Sequence, residues 1–416
     1  MLPEIIQIGT RNIRRNPRRT IVTALSVALG ACVAMVLIGT RQSTYDRLIA
    51  NAAKSGYGVV TISEEGFLAD PTPSSHIKFD ESLLKSVRKI NGIQEASPRA
   101  TAAAVVYTAK SSTGAQLLGV DVRYESLSNN VMLSSLTSGA RLQPGVNDDC
   151  LVGTTMAAQL GIKLGDRLIY TTTDAKGQMT SNVVHVGGIF QTGSPELDGH
   201  LVLMPLAVLQ KSLGYDADEV SFIALFSDPA LLTPKMVPAV AKKIAKSFAT
   251  KAHVSFWREN FPEVAQTIDI DQTLYGLLLM FSAIIISTGI LNAMMLNILE
   301  RRRELGIMLA TGMPPFGIVI MVAWEGFVLG VIGLLIGGIA ALPLYRFLHD
   351  KGLDLSSFLG EQSDHTVVAI DQILGCRLSA GQFGAITGSL LLMSLVAGLY
   401  PAFKAASTEP IQVIRS

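Results

Sequence analysis

Few residues of this chain are spaced for covalent chemistry. There is no His-Glu-x-x-His pair for zinc, no Gly-x-Ser-x-Gly elbow for a nucleophilic serine and no Cys-x-x-Cys for thiol exchange. No Gly-x-x-x-x-Gly-Lys-Ser/Thr loop is present to cradle nucleotide phosphates, so if ATP drives this protein another chain hydrolyses it. His185 sits in a strand-like run, and its plainer role is structural. His349 and His365 share one loop without the helical pairing that holds zinc. Two charged features remain. Glu325 is the lone ionisable group inside an apolar run, where an unpaired charge costs roughly 3 kcal/mol or more. The stretch Glu300-Arg301-Arg302-Arg303-Glu304-Leu305-Gly306 directly follows another apolar run, and its chemistry is ionic: pairing, docking or anchoring to headgroups.

The elements that must position these charges are membrane helices. The chain has 416 residues, 49% of them hydrophobic and only 16% charged, with a mean hydropathy of +0.40. A charged fraction well below the usual quarter excludes an ordinary soluble protein. The net charge of +1 points to no nucleic-acid partner. Residues Thr273 to Leu299 contain no Asp, Glu, Lys or Arg, and about 20 apolar residues suffice to span a bilayer. Arg301, Arg302 and Arg303 mark the end of that span as cytoplasmic.

Four spans follow: residues 20–40, 273–299, 314–345 and 380–403. Arg11, Arg14, Arg15, Arg18 and Arg19 place the N-terminus in the cytoplasm, where residues 1–19 form an interfacial helix set off by Pro17. Leu29-Gly30-Ala31-Cys32 resembles a lipobox, yet the apolar run continues through Ile38 to full spanning length, which favours an uncleaved anchor. Residues 300–313 form a cytoplasmic helix, and residues 404–416 a cytoplasmic tail. Residues 41–272 and 346–379 then lie outside, and all six histidines fall within them. Cys150 and Cys376 share that oxidising side; a disulfide requires their Cα atoms within about 7 Å.

The outer segment reads as α+β. Strands are expected at 58–62, 101–108, 117–122, 167–172, 183–189 and 220–226, where β-branched residues are bounded by Gly, Asp or Ser. Helices are expected at 82–90, 154–160, 205–213 and 233–250. The lysines of the last, Lys235, Lys242, Lys243, Lys246 and Lys251, read as a solvated face.

These residues resemble the MacB/FtsX group of ABC-transporter permeases. The N-terminal Arg11-Asn12-Ile13 and Arg15-Asn16-Pro17-Arg18-Arg19-Thr20 fit the group. So do Leu291-Asn292, Glu300 to Gly306, Ala310, Gly312, Glu325 and the closing Tyr400-Pro401-Ala402. In the outer segment, Gly153, Leu160-Gly161, Leu164-Gly165-Asp166, Gly188-Ile189-Phe190 and Met204-Pro205 resemble its periplasmic core. Trp257-Arg258-Glu259-Asn260-Phe261-Pro262 is similar to the lipoprotein-releasing permeases of the LolC/LolE type. The loop 346–379 is longer than the group's pattern implies, and no proline-bearing hook for recruiting a carrier is evident.

The resemblance implies a four-helix membrane protein with a large α+β extracytoplasmic domain between the first and second spans, in the bacterial inner membrane. It implies no catalysis in this chain, ATP and Mg being bound by a partner ABC ATPase, and a dimer with a second copy or a sister permease. A periplasmic carrier or envelope partner and the membrane lipids complete the expected partners. Arg303, Glu304, Leu305, Gly306, Ala310 and Gly312 become the element that couples to the ATPase. Glu325 either serves span packing or transmission within the membrane or sits near the cytoplasmic end, within reach of headgroups or of arginines such as Arg302. Gly330, Gly333 and Gly337, with Gly338, give the third span a small-residue face for close helix packing, against either its own spans or a second permease. The substrate implied is lipoprotein or another amphipathic molecule. Drug or peptide efflux, and FtsX-like signalling to a cell-wall hydrolase, are the alternatives.

Overall fold

The apolar run beginning at Thr20 belongs to a single helix, α1 (Pro17–Lys54), with no proline past its first residue to break it. It therefore continues past Thr40, where hydropathy alone ends the span. The computed structural model describes Gln7, Arg11 and residues 17–90, 92–143, 148–227, 252–354 and 373–406. These fall into two compact units, one within residues 1–44, 269–354 and 373–416, the other within 45–268. The expected interfacial helix (apart from Gln7 and Arg11), the helix at 233–250, His365 and the tail from 407 onward lie outside the described residues.

The second unit is built on a ten-stranded mixed sheet. In chain order its strands and helices are β1 (Val60–Glu64), β2 (Ile77–Lys78), α2 (Glu81–Arg88), β3 (Glu95–Tyr107), β4 (Ser112–Val120), α3 (Val131–Ser134), β5 (Leu136–Gly139), β6 (Asp149–Gly153), α4 (Thr154–Leu160), β7 (Arg167–Thr173) and β8 (Met179–Phe190). There follow α5 (Pro195–His200), β9 (Leu201–Pro205), α6 (Leu206–Leu213), β10 (Glu219–Val220), β11 (Phe222–Phe226), β12 (Ala252–Phe256) and α7 (Trp257–Asn260). The sheet order is β12-β1-β11-β3-β4-β9-β6-β8-β5, with β7 pairing β3 and β8, while β2 and β10 form a separate ladder. Pairing is antiparallel except for β4 with β9 and β6 with β8.

Burial explains which strands sequence reasoning finds. The hairpin β7–β8 alternates buried and exposed residues over much of its length, the half-buried pattern that marks a strand. β9, absent from the expected strands, is buried at every position, as strands covered on both faces are; β11 is equally buried, yet it falls within the strand expected at 220–226. One apolar core, including Ile62, Leu84, Val106, Leu160 and Leu209, covers one part of the sheet. Another, including Phe67, Met132, Leu151, Phe190 and Phe222, covers a different part. Gly58 turns the chain from α1 into β1 with φ of +78°, and a Cβ there would lie 2.7 Å from the Leu225 carbonyl oxygen, so only glycine fits.

The other unit holds the residues of α1 up to Thr44 and the later helices: α8 (Pro262–Glu300, from Asp269), α9 (Arg302–Ala310), α10 (Pro315–Asp350) and α11 (Ala380–Ala406). Among the described residues, three helices are long and apolar enough to cross a membrane, namely α1, α10 and α11. The uncharged run 273–299 lies within α8, some of whose side chains fall outside the described residues. A short ladder, β13 (Leu353–Asp354) with β14 (Ile373–Leu374), closes the base of the loop between α10 and α11.

Candidate functional site: the elbow between the second and third long helices

The charged stretch after α8 folds as an elbow. Arg301, with φ −99° and ψ 11°, breaks the helix and stands at the N-cap of α9 without capping it. Its guanidinium reaches sideways instead. Nε donates to Glu304 Oε2 at 3.2 Å, and Nη1 donates to Glu325 Oε1 at 3.1 Å and Oε2 at 3.4 Å. One cation therefore ties the short helix α9 to a carboxylate on α10. Gly312, with φ of +97°, ends the elbow, and Pro314-Pro315 begins α10 with proline where a helix tolerates it.

Glu325 is 4% exposed. A carboxylate buried among apolar helices is costly unless paired and hydrogen-bonded, and Arg301 meets both demands. Arg302, one of the neighbouring arginines the sequence offers, is exposed. Arg301 and Glu304 lie three residues apart, within pairing reach on one face.

The sequence-derived coupling residues divide by face. Leu305 and Gly306 are buried, and Leu305 packs in a cluster with Ile298, Ile318, Val322 and Ala402. Glu304 is half-buried in its pair with Arg301. Arg303, Ala310 and Gly312 are exposed, together with Arg302 and Ile307, so α9 turns a basic and apolar face outward.

The small-residue face of α10 is used within the chain. A Cβ on Gly330 would lie 2.6 Å from Ser394 Oγ of α11, and Ser394 in turn donates to the Gly326 carbonyl at 2.9 Å. Gly333 and Gly337 face α1: a Cβ on the first would meet Val27 Cβ at 2.5 Å, and on the second the Ala28 carbonyl oxygen at 2.5 Å. Gly338, the next residue, meets nothing within 4 Å.

The remaining chemical candidates are structural. Cys150 and Cys376 are both free thiols, and burial raises the pKa of the Cys150 thiol. His349 Nδ1 bonds to the Cys376 carbonyl at 3.1 Å, and its ring stacks on Tyr345. No cluster of metal-binding side chains occurs among the described residues.

With this geometry in place, comparison with known proteins fixes the family. The family model of the MacB-like periplasmic core domain matches residues 20–242, more than half of the chain, and that of the FtsX-like permease C-terminal region matches residues 276–410. The chain belongs to the MacB/FtsX family of ABC permeases. It is thus a membrane permease with a large periplasmic-type domain after its first apolar helix. The lipoprotein-releasing system transmembrane protein LolC of Xylella fastidiosa (strain 9a5c) is 25% identical, with 99% of each chain covered. LolC of Haemophilus influenzae is 22% identical over 78% of each. The macrolide export ATP-binding/permease protein MacB of Marinobacter nauticus is 21% identical over 99% of this chain but only 61% of its own length. The permease therefore matches a portion of a relative that also binds ATP, and membership in the family implies an ATPase partner.

Proposed function

We propose that this chain is a non-catalytic, four-span permease subunit that converts ATP hydrolysis by a separate ATPase chain into movement of its outer domain. The spans are residues 20–40, 273–299, 314–345 and 380–403, in a bacterial inner membrane with both termini cytoplasmic. The permease pairs with a second copy or a sister permease, and it extracts or exports lipoprotein or another amphipathic substrate. ATP and Mg stay with the ATPase.

The observation that carries this reading is the Arg301 bridge. A helix that docks on an ATPase through Arg302, Arg303, Ile307 and Ala310 has its first turn linked by Arg301 to Glu325. Displacement of α9 is thereby felt on α10, since breaking the link would strand a buried carboxylate.

The test is purification of the gently solubilised native complex through a tag on this chain, followed by mass spectrometry. An ABC ATPase together with lipoproteins or a soluble carrier is the expected result. An ATPase with a peptidoglycan hydrolase or its adaptor moves the assignment to an FtsX-like transducer, and one with an envelope efflux partner moves it to MacB-like export. Recovery of no ATPase from an active preparation overturns the coupling role.

A further inference from the structure

The sheet-based unit contains a cavity of about 310 Å³ that the coupling reading does not use. That volume sits at the small end of ligand pockets, which run from about 300 Å³ upward. Its walls come from three places. Ser55, Gly56 and Tyr57 follow the last turn of α1, and Phe261 to Val264 open α8. The strands β3, β4 and β11 and the short helix α5 close the remaining side.

The interior is apolar and partly aromatic. Tyr57 stacks at a tilt against Phe222, with ring centroids 5.0 Å apart, and meets Phe261 edge-on at 6.3 Å. Leu118, Leu197 and Leu201 complete this surface. The polar groups within it are satisfied by one another: Gln116 donates to the Thr101 hydroxyl at 3.1 Å, and Thr101 donates to the Leu117 carbonyl at 3.0 Å. The cavity thus offers shape and apolar area but little hydrogen bonding at depth.

Its rim is different. Glu196 and Glu263 bring two exposed carboxylates to the opening, and no Lys or Arg lines it among the described residues. His200 adds a third acceptor. Its Nδ1 lies 3.1 Å from the Gly114 carbonyl oxygen, which can only accept, so that nitrogen carries the proton. In the neutral tautomer this leaves Nε2 as the acceptor. An apolar slot rimmed by two carboxylates and an imidazole acceptor is complementary to a ligand with an apolar body and a donor-bearing cationic end. It is poorly suited to a carboxylate or phosphate.

We infer that this cavity is a binding site for a small cationic amphiphile, whose short alkyl or aryl chain lies against Tyr57, Leu118, Phe222 and Phe261 while its ammonium is held by Glu196 and Glu263. Such a ligand touches the end of the first long helix and the start of the second at once, so its occupancy bears on the junction through which the outer domain is attached. The inference adds a ligand class to the transport reading, and it is tested without an ATPase, so failure of one is distinguishable from failure of the other.

The experiment uses the full chain in nanodiscs of zwitterionic lipid, with empty nanodiscs as the reference. Hexylammonium, hexanol and hexanoate are titrated and followed by saturation-transfer NMR and calorimetry. The expected result is saturable binding of hexylammonium above the empty-disc signal, with hexanoate excluded. The double variant Glu196→Gln/Glu263→Gln changes only exposed rim groups, and it is expected to lose hexylammonium affinity about tenfold or more, the scale of a charge-assisted hydrogen bond. Its hexanol binding is expected to stay unchanged. Leu118→Trp, which fills the slot, is expected to abolish both. Uptake equal to that of empty discs, or wild-type hexylammonium affinity in either variant, overturns the site. Hexanol or hexanoate binding as tightly as hexylammonium overturns the charge assignment and leaves a seat for an uncharged or acidic chain.

Discussion

The side-chain amide of Asn260 donates to the Gly58 carbonyl at 3.3 Å and to the Thr61 hydroxyl at 2.9 Å, joining the turn after α1 to the helix α7 that leads into α8. Ser255 donates to Asn260 Oδ1 at 2.8 Å, which leaves the amide fully engaged. Arg99 of β3 adds a second tie by donating to the Gly56 carbonyl, while a bidentate pair with Glu125, at 2.8 and 2.7 Å, fixes its guanidinium. Ile49 and Ala52 of α1 pack with Val264 and Ile268 of α8 in one apolar cluster. The two helix ends are thereby held as a single piece.

Asn260→Leu keeps the volume near that of the amide and removes its side-chain bonds to Gly58, Thr61 and Ser255. Each buried group left without a partner costs about 1–3 kcal/mol. The expected outcome is faster amide hydrogen exchange in residues 55–61 and 252–262, together with a lower unfolding midpoint. The elbow at Arg301 should remain protected. Unchanged exchange at Gly58 and Thr61 would show that the apolar cluster and the Arg99 tie hold the junction without Asn260.

The Arg301 bridge makes a sharper prediction. Arg301→Met strands the Glu325 carboxylate, and breaking a buried pair from one side costs about 3–5 kcal/mol. Removing both charges in Arg301→Met/Glu325→Leu is expected to restore most of that loss, because neither ion is then desolvated alone. ATPase stimulation by the permease should fall in the single variant and stay low in the double, since the link is absent from both. Thermal unfolding in detergent and ATP turnover with the partner report the two effects separately. A double variant no more stable than the single one would sink the pairing argument.

Gly337 and Gly338 give an internal control, being neighbours on one helix with opposite surroundings. Gly337→Ala forces a methyl group toward the Ala28 carbonyl and should destabilise by about 1–3 kcal/mol, as overpacking does. Gly338→Ala meets nothing within 4 Å and should be neutral or gain roughly 0.5–1 kcal/mol from helix propensity. Parallel unfolding curves decide it. Equal effects at the two positions would mean that α1 does not seat against this face of α10.

Much of this architecture is legible in the sequence because membranes and amphipathic strands leave periodic or uninterrupted apolar runs. The helix at Thr154–Leu160 and the hairpin β7–β8 announce themselves by spacing and by flanking glycines. β6 and β9 do not, since a short strand buried on both faces has no alternation to read. The junction residues were hidden for another reason. A wholly buried Arg99 looks like a surface arginine until Glu125 and Gly56 engage it, and those partners lie far away in the chain. At the elbow, three consecutive arginines are all candidates for Glu325, and the choice of Arg301 becomes readable only once the break in the helix is known to fall at residue 301.

Tyr215 provides a test of the outer domain by pH. Its hydroxyl donates to the Pro73 carbonyl at 2.6 Å, and burial pushes its pKa up to about 12 from an ordinary 10.0. Burial also raises Tyr57 and Tyr170. A folded-state pKa above the unfolded value means that the folded chain holds its proton more tightly. The resulting stability is fully present below pH 10 and is lost as pH rises through about 12, amounting to at most roughly 2–3 kcal/mol for Tyr215. Tyr215→Phe gives up the bond to Pro73, so it should be less stable than wild type at pH 8 by about 1 kcal/mol. It has no proton to lose, so the gap between the two proteins should close and then reverse between pH 10 and 12. Denaturant unfolding at stepped pH values measures that crossing. Curves that stay parallel across the range would place the alkaline transition on other groups.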